Sequence, residues 1–497
     1  MASVVRLKTH NGQDVEFVDE VKGQGGMKDV YFSPRKDYVV AFFRDRMDSV
    51  AKDRLIQITD TYRERIYNQE GGEYWKGLYC WPTAVVEHNG RLGVVAPFYS
   101  PNFFFNVGSR NGDMLGIKGR EKEGKWFASA NNRNKFLDPA ELGDWASHLR
   151  ICLMIARAVR RLHAAGLAHS DLSYKNVLVD PATGKACIID IDGLVVPGKI
   201  PPQVAGTPDF IDPLVMMTQH LPLNNANRAM PSIRTDSHAL AVLIYMYLLY
   251  RHPLRGGKVH DQDPQRDEEL SMGERAVWVE HKTNVSNRVR MADLRASQQP
   301  WGDPSKMPYT VTGPYLSPLF ERAFDIGLHD HRHRPMAGEW ETALVKTIDL
   351  LQPCSNPSCE QKWYVFDNTT SPKCPFCGTV YKGRLPVLNL YSSHKEGSFR
   401  PDNHRLMVYS NQSLFTWHVF KNVFPNERLT DAQRKRLGYF VLHQGRWWLK
   451  NEAMDNLWDA TAKTQVTGGG QIELMEGLQL HNRAPEGRLI VVQMAGT

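Results

Sequence analysis

The sequence predicts an α+β chain of several parts, on three observations. Short β-type runs surround one helical stretch in the first hundred residues. Helical periodicity dominates from 145 to about 350. Alternating apolar runs fill the chain after Pro386. A group of four cysteines sits just before that last part. Two to four domains is the ordinary expectation for 497 residues. The 42% hydrophobic and 23% charged content is that of a globular protein. A net charge of +7, with no concentrated basic stripe, suits acidic ligands and argues against a nucleic-acid partner. No apolar window reaches the roughly 18 residues of a membrane helix. The longest, "ALAVLIYMYLLY" at 239–250, reads as a buried helix. The segment "MASVVRLKTH" lacks a signal-peptide core. Seven cysteines are too few for a disulfide scaffold, so a reducing, cytoplasmic setting without a membrane partner is expected.

Each element follows from local pattern. The runs at 14–26, 29–34 and 37–44 ("DYVVAFFR") read as strands with turn signals between them. "DSVAKDRLIQITDTYRERIYNQ" at 48–69 has helical period, and 84–99 reads as a hairpin turning at Asn89-Gly90. Residues 101–140 are polar and rich in Asn and Gly, which predicts an insertion or linker. "WASHLRICLMIARAVRRLHAAG" at 145–166 places Leu149, Cys152, Leu153, Ala156 and Val159 on one helix face, with Gly166 as the stop. Composition shifts at Pro353. The tail runs at 405–410, 439–450, 472–480 and 488–495 alternate like strands of an all-β domain. The expected boundaries are 1–100, 101–350 with the insertion at 101–140, 351–385 and 386–497.

The chemistry lies in "HSDLSYKNVLVD" (169–180) and "IIDIDG" (188–193). Moving a phosphoryl group takes a carboxylate to orient the attacking hydroxyl and oxygen ligands to hold a divalent metal on the phosphates. Asp171 and Asn176 offer a carboxylate and an amide from one loop, and Asp190 ends a predicted strand. Alone, this spacing also describes an Asx turn before a strand. "GQGGMKDVY" (23–31) adds Gly23, Gly25 and Gly26, where backbone could approach phosphate closely.

In this order, residues 1–350 resemble a eukaryotic-type protein kinase, which implies a bilobal domain using ATP with magnesium or manganese. "HSDLSYKN" resembles the catalytic loop and "DIDG" the metal-binding motif. "GTPDFIDP" (206–213) resembles the end of the activation segment, "TDSHALAVLIYMYLLY" the central helix opening at Asp236, and "HDHRHRP" (329–335) the late Arg-Pro signature. The resemblance implies that Asp171 orients the substrate hydroxyl, that Asn176 and Asp190 bind magnesium, and that Asp236 supports the loop backbone. Val30 and Ala41 would flank the nucleotide. Asp192 would either reach a second metal or cap a turn.

The chain departs from that pattern in several places. Where a kinase strand carries its lysine, this one reads Val40-Ala41-Phe42-Phe43. Lys28, in the glycine loop, could supply the phosphate anchor as in with-no-lysine kinases. Arg44 is the alternative, although strand alternation turns it away from the face of Phe43. Glu64, or else Glu70, would pair the anchor from the helix. Ser170 replaces the arginine that receives a phosphorylated activation loop, and 193–206 contains no Ser, Thr or Tyr. No switch by phosphorylation is therefore expected in that loop, and Thr207 is expected to shape the substrate site. Leu214 replaces the acid that usually pairs with the late arginine, here Arg334, which leaves that ion pair without its usual partner. Ser173 is similar to the loop of RIO-type and small-molecule phosphotransferases, and Lys175 adds a nearby charge.

"CSNPSC" and "KCPFCG" place Cys354, Cys359, Cys374 and Cys377 as two pairs on tight turns, a spacing suited to tetrahedral Zn²⁺. The module resembles a zinc ribbon. The tail loosely resembles a forkhead-associated (FHA-like) sandwich, with Ser413 and His418 off the spacing of its ligand set. Kinase, ribbon and β tail together resemble kinases of bacterial tellurite-resistance phosphorylation systems. That likeness implies a protein substrate and the company of a von Willebrand A-like protein and a PP2C-type phosphatase. Three readings stay open: an active Ser/Thr kinase, a pseudokinase scaffold, and a small-molecule phosphotransferase.

Overall fold

The computed structural model describes residues 3–24, 27–196, 206–222, 225–366, 371–395 and 397–496. Gly25 and Gly26 lie outside them, as do 197–205 of the segment read as an activation loop. The chain divides into two compact units, one of 1–143, 150–309 and 319–341, the other of 144–149, 310–318 and 342–497.

The first unit opens with a hairpin, β1 (Val4–Lys8) and β2 (Asp14–Val18), followed by β3 (Gly23–Gln24), β4 (Lys28–Phe32) and β5 (Tyr38–Phe43). Helix α1 (Ser49–Gln57) comes next, capped by the Asp48 carboxylate on the Ala51 N–H at 2.8 Å. It continues through a π turn, Ile58–Tyr62, into α2 (Arg63–Tyr67). Strands β6 (Ala84–His88) and β7 (Arg91–Pro97) form the predicted hairpin. Its turn has Asn89 and Gly90 at φ 51° and 72°, as a type I′ turn requires. The five-stranded antiparallel sheet has the order β3-β4-β5-β7-β6. β5 is apolar throughout because both its faces are covered. Val40 and Phe42 pack with Phe17 of the first hairpin. Ala41 and Phe43 pack with Leu55 of α1.

The rest of this unit is mainly helical, as its periodicity predicts. The helix Trp145–Ala164 buries all five residues named for its inner face, and Gly166 ends it at φ 77°. The apolar run at 239–250 forms the rest of the buried helix Ile233–Leu249 and its C-cap, Tyr250; the helix starts in a capping box of Ser232 and Thr235. Between these helices, β8 (Val177–Asp180) and β9 (Lys185–Ile188) form a short hairpin. Residues 101–140 are not a linker. Phe103, Phe105, Ile117 and Phe127 are buried, and Lys122 is an interior cation between Glu141 (3.1 Å) and Asp180 (3.4 Å). Regularly spaced apolar residues are too few there for periodicity to reveal them.

The second unit holds a two-stranded antiparallel ribbon, Leu351–Pro353 with Trp363–Val365, and two larger antiparallel sheets. One has the order Ser398–Met407, Leu385–Lys395, Leu489–Ala495, Gln479–Asn482, Leu457–Asp459, Thr464–Gln465. The other runs Ser413–Phe415, Arg436–His443, Arg446–Asn451, Gln471–Glu473. Leu388, Leu406, Phe440, Leu449 and Leu480 share one core with Cys359 and Cys374. Among the described residues no helix is long and apolar enough to cross a membrane.

Candidate active site

A cavity of about 630 Å³ in the first unit is lined by residues of β3, β4 and β5 on one side and of the 169–176 and 189–193 loops on the other. Lys28 enters it from β4. In the β4–β5 register Lys28 stands directly opposite Phe43, so the two side chains leave the sheet on the same face. The ammonium lies 5.4 Å from the Phe43 ring centre. A cation absent from β5 is thus supplied from the adjacent strand. Its three N–H donors meet three carboxylate oxygens: Asp190 Oδ1 at 3.1 Å and both Asp192 oxygens at 2.9 Å. Burial pulls this ammonium toward neutrality. The charges of Asp192 and then Asp190 outweigh it and hold Lys28 well above the usual lysine range.

The two acids follow β9. Asp190 takes a left-handed backbone, φ 56° and ψ 39°, before the tight turn Ile191–Gly193. Asp171 lies on the loop after the helix Trp145–Ala164, next to Ser170, which is also left-handed at φ 63°. Asp236 holds this loop, accepting the His169 N–H at 2.7 Å and the Ser170 N–H at 3.3 Å, and His163 lies 3.1 Å from it. Asp171 Oδ1 accepts the Thr207 N–H (2.7 Å) and hydroxyl (2.9 Å), and Oδ2 accepts the Asn176 amide at 2.9 Å. A carboxylate has about four lone-pair sites, so one on Oδ2 is left for an incoming hydroxyl. The Asn176 amide also donates to the Asp171 carbonyl at 2.8 Å, which leaves its side-chain oxygen free for a cation.

Lys28, Asp171, Asn176, Asp190 and Asp192 therefore line one cavity, joined by Gly23 and Val30. Ala41 is buried opposite Val30 on β5. Arg44 points elsewhere and binds Asp29 at 2.9 Å, as does Arg91 at 2.7 Å. Glu64 and Glu70 are exposed, and neither is brought to Lys28. Arg334 does have an acidic partner. It is Asp212, two residues before Leu214, in a buried ion pair. Sequence reasoning did not single out Tyr99, Glu121 and Glu123, which also line the cavity, nor Arg54 of α1, whose guanidinium feels the charge of Asp192. Tyr99 closes the run read as a hairpin, and both glutamates fall in the segment read as an insertion or linker, so no local pattern marked them.

In the second unit the four cysteine Sγ atoms lie within 4.8 Å of one another, with 3.5 Å between Cys354 and Cys377 and 3.9 Å between Cys359 and Cys374. A tetrahedral zinc–thiolate site, with bonds near 2.3 Å, has sulfur–sulfur edges of about 3.8 Å. The donors therefore fit Zn²⁺ with no coordination position to spare. His418 is buried and lies 3.2 Å from Asp349, which also meets His404 at 2.6 Å, so His418 is committed to the interior.

A family model described as the lipopolysaccharide kinase (Kdo/WaaP) family matches residues 141–194, the stretch that carries Asp171, Asn176 and Asp190. The chain is 29% identical over 172 residues to human serine/threonine-protein kinase H1, covering 31% of this chain and 37% of that protein. It is 32% identical over 107 residues to a serine/threonine-protein kinase-like protein of Arabidopsis thaliana, covering 21% and 28%. The chain thus spans about a third of the length of these relatives. Two solved Toxoplasma gondii structures align with it, a rhoptry antigen kinase domain (12% identity, 69% of this chain and 86% of that one, TM-score 0.38) and a rhoptry kinase (13%, 70% and 86%, 0.40). The family match and the kinase relatives, taken with this cavity, give the first unit a protein-kinase-like fold.

Proposed function

We propose that the first unit is a kinase that uses magnesium and ATP and transfers the γ-phosphate to Ser or Thr hydroxyls of a protein. One observation carries this reading: Asp171, its oxygens fixed by Thr207 and Asn176, shares a cavity with Lys28 and Asp190. Asn176 and Asp190 would hold the divalent cation, which neutralises charge on the phosphates. Lys28 binds those phosphates, and the free site on Asp171 Oδ2 receives the acceptor hydroxyl and orients it. The kept trio speaks against a scaffold that has lost catalysis. The names of the kinase relatives and the "GTPDFIDP" segment favour a protein acceptor. The Kdo/WaaP match over the loop favours a second reading, in which the hydroxyl belongs to a sugar or other small molecule. Radiolabelled ATP offered with protein and sugar acceptors separates the two. Labelled Ser or Thr supports the first, labelled sugar alone the second, and no transfer to either refutes both.

We further propose, on the resemblance to tellurite-resistance kinases alone, a cytoplasmic stress-signalling role beside a von Willebrand A-like protein and a PP2C-type phosphatase. The paired sheets of the second unit support an FHA-like docking module, and the four cysteines a Zn²⁺ ribbon within it. Copurification, phosphopeptide binding and metal analysis test these three readings in turn.

A further inference from the structure

α1 carries a cation that this chemistry has not yet used. Arg54 is 6% exposed, yet its Nε and one terminal nitrogen have no hydrogen-bond partner. Burial lowers its guanidinium, and the charge of Asp192 opposes that shift. The π turn that continues α1 packs on the turn Ile191–Gly193, so the helix and the Asp192 loop are neighbours. Buried guanidinium groups without partners are rare, because the lost hydration is not replaced.

Lys28 explains why such a group is kept. All three of its N–H donors are taken by Asp190 and Asp192. To bind phosphates it must release carboxylate oxygens, and Asp190 is needed for the cation. Asp192, whose side chain is 11% exposed, would then be a buried anion without a counter-charge. We propose that Arg54 takes Asp192 when magnesium and nucleotide draw Lys28 away, so that ion-pair exchange couples α1 to nucleotide loading. Kinases ordinarily link this helix to the anchor through a glutamate. Here the helix supplies the cation and the loop the acid. Arg54 is a positioning residue and touches no substrate.

The inference rests on the kinase reading, and the test keeps the two apart. The full chain is titrated with a non-hydrolysable ATP analogue and magnesium, and its melting temperature is measured without nucleotide. Arg54→Met is expected to raise the analogue's Kd about tenfold or more, as for loss of a charge-assisted contact. It should leave the nucleotide-free melting temperature no lower than that of wild type, since Arg54 is unpaired there. Arg54→Lys should restore most of the affinity. In an Asp192→Asn background, Arg54→Met should cause no further loss. An unchanged Kd, additive losses in the double variant, or an Arg54→Met chain that melts early or fails to fold without nucleotide overturns the exchange. A wild-type chain that does not bind the analogue overturns the kinase reading as well.

Discussion

Replacing Asp212 with asparagine removes one charge from the interior while keeping an oxygen for the Leu214 N–H that the carboxylate accepts at 2.8 Å. Arg334 then retains the carbonyls of Gly327 (2.6 Å), Leu328 (2.9 Å) and Arg234 (3.3 Å), but no counter-charge. Both residues are almost fully buried, at 2% and 4% exposure, so water does not replace the lost partner. Removing one member of such a pair costs about 3–5 kcal/mol. Arg334→Met leaves the carboxylate stranded and should cost as much. The double variant removes both charges into packed surroundings and should cost only about 1–2 kcal/mol, a coupling of at least about 4 kcal/mol. Urea denaturation of the full chain, followed by tryptophan fluorescence, measures all four corners. Single variants that cost less than about 1 kcal/mol, or additive effects, would refute the buried-pair argument.

Other outcomes are expected. Asp171→Ala should lower phosphate transfer about 10²–10⁴-fold with nucleotide binding retained, measured by radiolabel incorporation and analogue titration. Lys28→Ala should weaken nucleotide binding about tenfold or more, whereas Arg44→Ala should leave it near wild type; the reverse ranking would move the anchor to Arg44. Metal analysis should find about one zinc per chain, and Cys374→Ser should lose it and unfold the second unit at lower denaturant, because Cys374 is part of that unit's core. Burial would raise the Asp349 carboxyl, but His418 and His404 outweigh it and hold it at about 2, below its ordinary 3.8. The resulting stability, about 2 kcal/mol, is fully present above pH 4 and is lost as pH falls toward 2. Asp349→Asn should flatten that acid limb in pH-dependent melting of the second unit.

What could be read from the chain was local. Asp171 and Asn176 share one short loop, Asp190 closely follows a strand, and Asn89-Gly90 dictates its own turn, so spacing and residue type sufficed. Lys28 was reachable because phosphate demands a cation and β5 had none. Partners set by long-range packing were not legible. Asp212 meets Arg334 across 122 residues, and no rule of spacing chooses it over Leu214. Glu64 is one of several charges on a helix, and periodicity does not tell which of them turns inward. Segment 101–140 looks polar in composition, yet a few phenylalanines anchor it. Composition averages over the residues that decide burial.

Ser170 and Asp190 both sit in the left-handed region, which a residue with a side chain enters at roughly 1–2 kcal/mol. Two residues lining the cavity are thus kept in postures a relaxed peptide avoids, and the N–H groups around Ser170 are tethered to Asp236. Ser170→Gly would ease the backbone and firm up the fold. No such relief is open to Asp190 under the proposed function, which needs its carboxylate to hold the divalent cation. The chain therefore carries a permanent debt of stability at one position and an optional one at the other, so natural variation should tolerate glycine at 170 and never at 190.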